Sequence, residues 1–119
     1  MKQSATRLDR RATVLTKAVA RAADQLQVNR ATLAAILGLS LATISRMYAS
    51  RYALHENRKE WELGALFVRM HRSLSANVGT QAMVWLTNDN KALGDKPIEM
   101  IRTAQGLVRV IQYLDTIFA

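Results

Sequence analysis

Cysteine is absent from the 119-residue chain, which removes any disulfide framework, thiolate metal site or cysteine nucleophile and fits a reducing compartment. Proline occurs once, at Pro97, so long helices can run with little interruption. Acidic residues are scarce: 9 Asp/Glu stand against 17 Lys/Arg, a net charge of +8. No apolar run is long enough to span a bilayer. The longest weakly polar stretch, Ala31 to Ile44, is broken by Thr, Gly and Ser and falls short of the roughly 20 residues required. Arg7, Asp9, Arg10 and Arg11 leave no apolar core for a signal peptide, so a cytoplasmic protein without membrane association is expected.

The chemistry of catalysis is equally thin. The two histidines, His55 and His71, lie sixteen positions apart and so form no ligand pair at helical i, i+4 spacing, and no glycine-rich phosphate loop occurs. Glu56, Glu60 and Glu62, beside Arg58 and Lys59, read as a solvated charged helix face rather than a paired-carboxylate catalyst. The expectation is a protein that is not an enzyme and that holds no metal and no cofactor.

What the chain does contain is enough apolar material, half of its residues, for one modest core. The positive charge is uneven. Residues 1–60 carry 11 Lys/Arg against 4 Asp/Glu, whereas residues 61–119 carry 6 against 5. The first half is therefore the part that would gain counterion-release free energy from a polyanion.

Apolar spacing is helical throughout, and the fold class expected is all-α. Leu15, Ala18, Ala22 and Leu26 define an amphipathic helix from about Asp9 to Gln27. Asn29 can cap a helix over Arg30 to Leu37, Gly38 stops it, and Ser40 caps a third helix reaching about Ala49. The polar stretch Ser50 to Asn57 precedes a longer helix with the stripe Leu63, Leu66, Phe67, Met70 and Leu74. A short helix over Gln81 to Leu86, a turn-rich segment to Lys96, and helices from Pro97 and near Thr103 complete the chain. Val110, Leu114 and Ile117 or Phe118 keep the last helix amphipathic. The organisation expected is residues 1–55 as a basic helix-turn-helix unit, 56–78 as a connecting or dimerisation helix, and 79–119 as a small helical domain.

A twenty-residue window opening at Arg30 meets the helix-turn-helix constraints. Ala34 is small where two helices cross, Gly38 supplies positive φ at the turn, and Leu33, Leu37, Leu39, Ile44 and Met47 point inward. The third helix then offers Ser40, Leu41, Ala42, Thr43, Ser45, Arg46 and Ala49 to a major groove. Arg46 can pair with guanine O6 and N7, Thr43 and Ser45 can reach a base edge or phosphate, and Ala42 can meet a thymine methyl. Thr32 and Ser40 suit phosphate, and Arg10, Arg11, Lys17, Arg21 and Arg51 could add phosphate contacts. One strong donor makes for weak monomer binding, so a dimer on two half-sites is expected.

From Met83 onward the order Trp85, Leu86, Asn88, Asn90, Leu93, Gly94, Pro97, Ile98, Thr103, Gly106, Val110 and Leu114 resembles the toxin-binding domain of the antitoxin Xre/MbcA/ParS family. The trihelical unit before it resembles the Xre-like helix-turn-helix that precedes this domain in many members. Each of these residues also has a plain structural use: Trp85 as core, Asn88 and Asn90 in turns, Gly94 as a positive-φ stop, Pro97 in a first helical turn. Gly106, inside a helix at a cost of about 1 kcal/mol against alanine, implies close approach of a neighbouring helix or a partner chain.

The resemblance implies an antitoxin that holds a RES-domain toxin inactive, the toxin consuming NAD or transferring ADP-ribose from it. It also implies that the C-terminal region meets the toxin, which points to Arg102, Arg109, Gln112, Tyr113, Thr116 and Phe118. A homodimer repressing its own operon at a palindromic operator, and a larger hetero-oligomer with the toxin, follow from that reading. Two rivals stay open: a stand-alone dimeric repressor without a toxin, and a toxin inhibitor whose helix-turn-helix serves only self-association.

Overall fold

The computed structural model describes the backbone from Lys2 to Ala119 and the side chains from Arg10 onward. Among these residues seven α-helices and no strands occur: α1 (Lys2–Leu26), α2 (Arg30–Leu37), α3 (Leu41–Tyr48), α4 (Lys59–Val78), α5 (Ala82–Thr87), α6 (Pro97–Met100) and α7 (Ala104–Ile117). A 3-10 turn, Gly79–Gln81, links α4 to α5. The all-α class is thus what the periodicity predicts. Helix α1 starts earlier than the expected Asp9, since neither proline nor glycine interrupts Lys2 to Asp9. It ends where Gln27 turns to φ 55° and the Val28 N–H reaches the Ala23 carbonyl at 2.8 Å, a left-handed stop made without glycine.

The α2–α3 pair has the expected caps. Asn29 Oδ1 accepts from the Thr32 N–H at 2.8 Å, and Ser40 Oγ accepts from the Thr43 N–H at 3.1 Å. Gly38 sits at φ 68°, ψ 33°, and the two helices bend by 109° across it. Leu33, Ala34, Leu37, Ile44 and Met47 are buried, while Leu39 is only half-buried.

Two predicted apolar stripes are rotated. In α1 the buried residues are Thr16, Val19, Ala22, Ala23 and Leu26, with Leu15 and Ala18 left half-buried. In α4 they are Glu60, Gly64, Phe67, Val68, Met70 and Leu74, with Leu63 and Leu66 half-buried. The reason is Gly64. A Cβ there would stand 2.9 Å from Leu54 Cδ1 and 3.2 Å from Val19 Cγ2, so α1 and the loop before α4 close onto the one position without a side chain. One continuous core then runs from Val19 to Leu114 through α4, which packs on α1 and α2 and also on α7.

Glu60 corrects the reading of a solvated acidic face. It is 5% exposed, and its Oε2 accepts from the Tyr52 hydroxyl at 2.5 Å and the His55 N–H at 2.9 Å. Thr16 Oγ1 accepts from the Leu54 N–H at 3.0 Å, so the connection to α4 is tied to both long helices by buried hydrogen bonds. Glu56 lies in the turn before α4, where it pairs with Arg11 at 2.8 Å, and only Glu62 behaves as expected, exposed beside Lys59.

In the C-terminal part Asn90 Oδ1 accepts from the Leu93 N–H, Gly94 turns at φ 86°, Pro97 opens α6, and Thr103 Oγ1 caps α7 by accepting from the Gly106 N–H at 3.0 Å. Gly106 answers to the chain itself: a Cβ would come 1.9 Å from the Met100 carbonyl oxygen at the end of α6. Leu107, Val110, Ile111 and Leu114 are buried, but Ile117 and Phe118 are exposed rather than continuing the core face.

Gly106→Ala is expected to cost about 1–3 kcal/mol, because backbone rather than a flexible side-chain end must move; thermal unfolding followed by circular dichroism measures it. Burial, and then the bond to Glu60, push the Tyr52 hydroxyl up to about 12. The folded chain holds that proton to higher pH than the unfolded one, where tyrosine ionises near 10. Its stabilisation is whole below about pH 10 and fades as pH rises towards about 12. Urea melts at about pH 8 and about pH 11 should show a larger alkaline loss in the wild type than in Tyr52→Phe.

Candidate nucleic-acid interface and C-terminal face

The N-terminal half of the sequence has no carboxylate between Asp24 and Glu56. α2, α3 and both connecting turns therefore carry cations without internal neutralisation. The α3 positions that face outward are Leu41, Ala42, Ser45, Arg46 and Ala49, with the Ser40 cap also exposed and Thr43 half-buried at the edge. By helical spacing Ala42 and Ala49 occupy the middle of this arc, Leu41 and Ser45 one flank, Arg46 and Thr43 the other. Small residues in the middle let such a helix lie close to a surface it enters. Leu41 is 54% exposed, on the outward side as expected, an apolar group on a polar face to which the sequence reading gave no base or phosphate contact.

Side chains on the Arg46 flank are linked. Ser40 Oγ donates to Thr43 Oγ1 at 2.9 Å, and Arg46 Nη2 donates to the same oxygen at 3.0 Å. On the other flank the Arg30 guanidinium lies over the Tyr48 ring at 4.6 Å, and burial raises the Tyr48 hydroxyl above its ordinary value. Thr32 sits half-buried in the first turn of α2, its backbone N–H committed to Asn29.

The structure divides the remaining basic candidates between two surfaces. Arg51 follows Ser50, which turns at φ 60°, and its N–H bonds the Arg46 carbonyl at 2.7 Å. It lines an open groove of about 740 Å³ at the end of α3, together with Lys17, Arg21, Thr13 and Ser50, and with Asp24 as the one carboxylate on its wall. Arg10 and Arg11 belong elsewhere. They border a groove of about 530 Å³ between α1 and α4 whose floor is Val14, Leu15, Ala18, Ala65 and Val68, with Arg69 and Arg72 on its other side. Arg11 is held by Glu56 and lies 5.7 Å from the Trp61 ring centre, so it is not part of the surface around α3.

In the C-terminal part Arg109, Gln112, Tyr113 and Thr116 recur at i, i+3, i+4 and i+7 and share one face of α7. Arg109, Gln112 and Thr116 are exposed, although the Thr116 hydroxyl donates to the Gln112 carbonyl at 3.0 Å. Tyr113 is half-buried and stacked on Trp85, ring centres 6.4 Å apart and planes 24° from parallel. Trp85 is thus a half-buried support for that face rather than fully enclosed core. Arg102 lies in the turn between α6 and α7, off the helical face, and Phe118 caps its end at 36% exposure. Val84, Val108 and Ile117 add exposed apolar surface on α5 and α7 that the predicted partner site did not include. Asp115 is turned to Arg69 of α4 at 2.6 Å.

His71, bonded to Ser75 Oγ at 3.2 Å, is pushed below its ordinary value by burial and by Arg72, and His55 meets the Tyr52 ring edge-on. Among the described residues no group of three or more His, Cys, Asp or Glu is placed to hold a metal ion, and no single helix is long and apolar enough to cross a membrane.

Two family models match the chain. Residues 7–69 match the antitoxin Xre-like helix-turn-helix domain, and residues 78–119 match the antitoxin Xre/MbcA/ParS C-terminal toxin-binding domain. The first match ends inside α4, the helix shared by both parts of the core. A comparison with curated proteins gave no match.

Proposed function

The chain belongs to the Xre/MbcA/ParS antitoxin family, a helix-turn-helix joined to a toxin-binding domain, and on that premise we propose that it neutralises a RES-domain toxin and represses its own operon. The observation that carries the reading is the pairing, on one core, of an exposed acid-free α3 face with a separate polar and apolar face on α7. What supports the RES class of toxin, an enzyme that consumes NAD or transfers ADP-ribose, is the residue pattern from Trp85 to Leu114. The chain itself acts by binding, in the cytoplasm, and its own residues need no metal or cofactor.

In this reading α3 enters the major groove. Arg46 pairs with guanine, Ser45 and Thr43 reach a base edge or phosphate, and Ala42 meets a thymine methyl, with Leu41 adding a second apolar contact. Thr32 binds phosphate beside it, and Ser40 does so through its backbone N–H, its hydroxyl hydrogen being given to Thr43. Lys17, Arg21 and Arg51 extend the contact to backbone phosphates from the groove at the end of α3. A homodimer provides two such faces for a palindromic operator, since one arginine per helix gives little affinity alone. Arg102, Arg109, Gln112, Tyr113, Thr116 and Phe118 meet the toxin, in a larger hetero-oligomer.

The test is co-expression with the product of the adjacent gene. Growth rescue together with a stable co-purified complex is the expected result; absence of both toxicity and complex overturns the antitoxin function and leaves a stand-alone repressor. Arg46→Ala is expected to weaken operator binding by about 1–3 kcal/mol while leaving neutralisation intact. Replacing Lys17, Arg21 and Arg51 together by alanine should lower the slope of log affinity against log salt by roughly 2–3, at about 0.9 for each phosphate no longer neutralised. Electrophoretic shifts over a salt series measure both, and an unchanged slope would remove the groove from the DNA interface.

A further inference from the structure

The three polar side chains along one edge of α3 form a closed arrangement whose donors can be counted. Ser40 Oγ accepts from the Thr43 N–H at 3.1 Å, which fixes it as the helix cap. The two hydroxyls share one hydrogen bond at 2.9 Å, and Thr43 Oγ1 accepts from Arg46 Nη2 at 3.0 Å. These residues stand at i, i+3 and i+6, so the chain climbs the helix along a single edge. Thr43 is half-buried and β-branched, with few accessible rotamers in a helix, whereas Arg46 is exposed and carries a long flexible stem. The stiff residue therefore holds the flexible one.

We propose that Thr43 is a positioning residue for Arg46: its hydroxyl, itself fixed by the Ser40 cap, pre-orients the guanidinium so that guanine preference depends on Thr43 without Thr43 reading that base. The inference rests on the DNA-binding function proposed above and adds to it a division of labour within the face. An arginine held by one N–H to Thr43 keeps four N–H groups, enough for the two parallel bonds that guanine O6 and N7 accept. The rotamer freedom that an unrestrained arginine would lose on binding is already reduced in the free protein. The one hydroxyl hydrogen not used inside the chain is also a donor available to an acceptor, so this edge presents donors to the acceptor-rich edge of a purine. No carboxylate lies between Asp24 and Glu56 to compete for the guanidinium within this unit.

The experiment is selection of duplexes by the full chain from a randomised library. It is followed by fluorescence-anisotropy affinities for the selected duplex and for versions with each G·C pair exchanged for A·T. The guanine read by Arg46 is the one whose exchange no longer matters in Arg46→Ala. At that pair the wild type should discriminate on the order of ten- to a hundredfold. Thr43→Ser, which keeps the hydroxyl, should retain most of that ratio, and Thr43→Val, which keeps the shape, should lose most of it. In the Arg46→Ala background Thr43→Val should have no further effect on the ratio. All variants keep Ser40 and the backbone cap, and helix content by circular dichroism checks that they fold. Undiminished discrimination by Thr43→Val overturns the proposal, as does equal loss in Thr43→Ser, or an effect of Thr43→Val that persists without Arg46. A wild type that enriches no sequence overturns the DNA-binding function and this proposal with it.

Discussion

Leu54 and Val19 close on Gly64, and the placement of both halves of the chain depends on that contact. Because no Cβ stands between them, α4 lies against α1 and carries the core onward to α7. The loop that brings Leu54 there is costly to bury unless its polar groups are satisfied, and Glu60 and Thr16 supply the acceptors.

The positive charge of the first half is not one surface. Helix α1 carries its basic residues into two of the grooves it borders, one beside the end of α3 with Lys17, Arg21 and Arg51, and one against α4 with an apolar floor and arginines on both sides. Only the first adjoins the face proposed for DNA. The net charge counted along the sequence overstates the cation available to a polyanion there, since Arg10 and Arg11 stand on the second groove, away from α3.

Exposure separates the two proposed faces by their chemistry. The α3 face is short, acid-free and rich in small side chains, suited to entering a groove and dependent on one arginine for strength. The α7 face mixes Arg109, Gln112 and Thr116 with a Tyr113 ring supported by Trp85, and Val108, Ile117 and Phe118 stand exposed around it. Such a mixture of aromatic, apolar and hydrogen-bonding groups suits a protein partner better than a phosphate backbone.

The sequence by itself determined the all-helical class, the caps at Asn29 and Ser40, the Gly38 turn, the helix starts at Pro97 and near Thr103, and the order of the two parts. Each of these is a local matter of backbone conformation or of period. The exposed α3 positions were legible for the same reason, since a capped helix of known register leaves few choices of outward face. Tertiary structure alone decided that Glu60 is buried, that the stripes of α1 and α4 turn towards Val19, Gly64 and Val68, and that Gly106 answers to the Met100 carbonyl. It also decided that Arg11 and Arg51 stand on different surfaces and that Ile117 and Phe118 face outward. A helical period gives the width of an apolar face but not which neighbour presses on it. A charged residue's fate depends on partners 5 to 46 positions away, which no local pattern encodes.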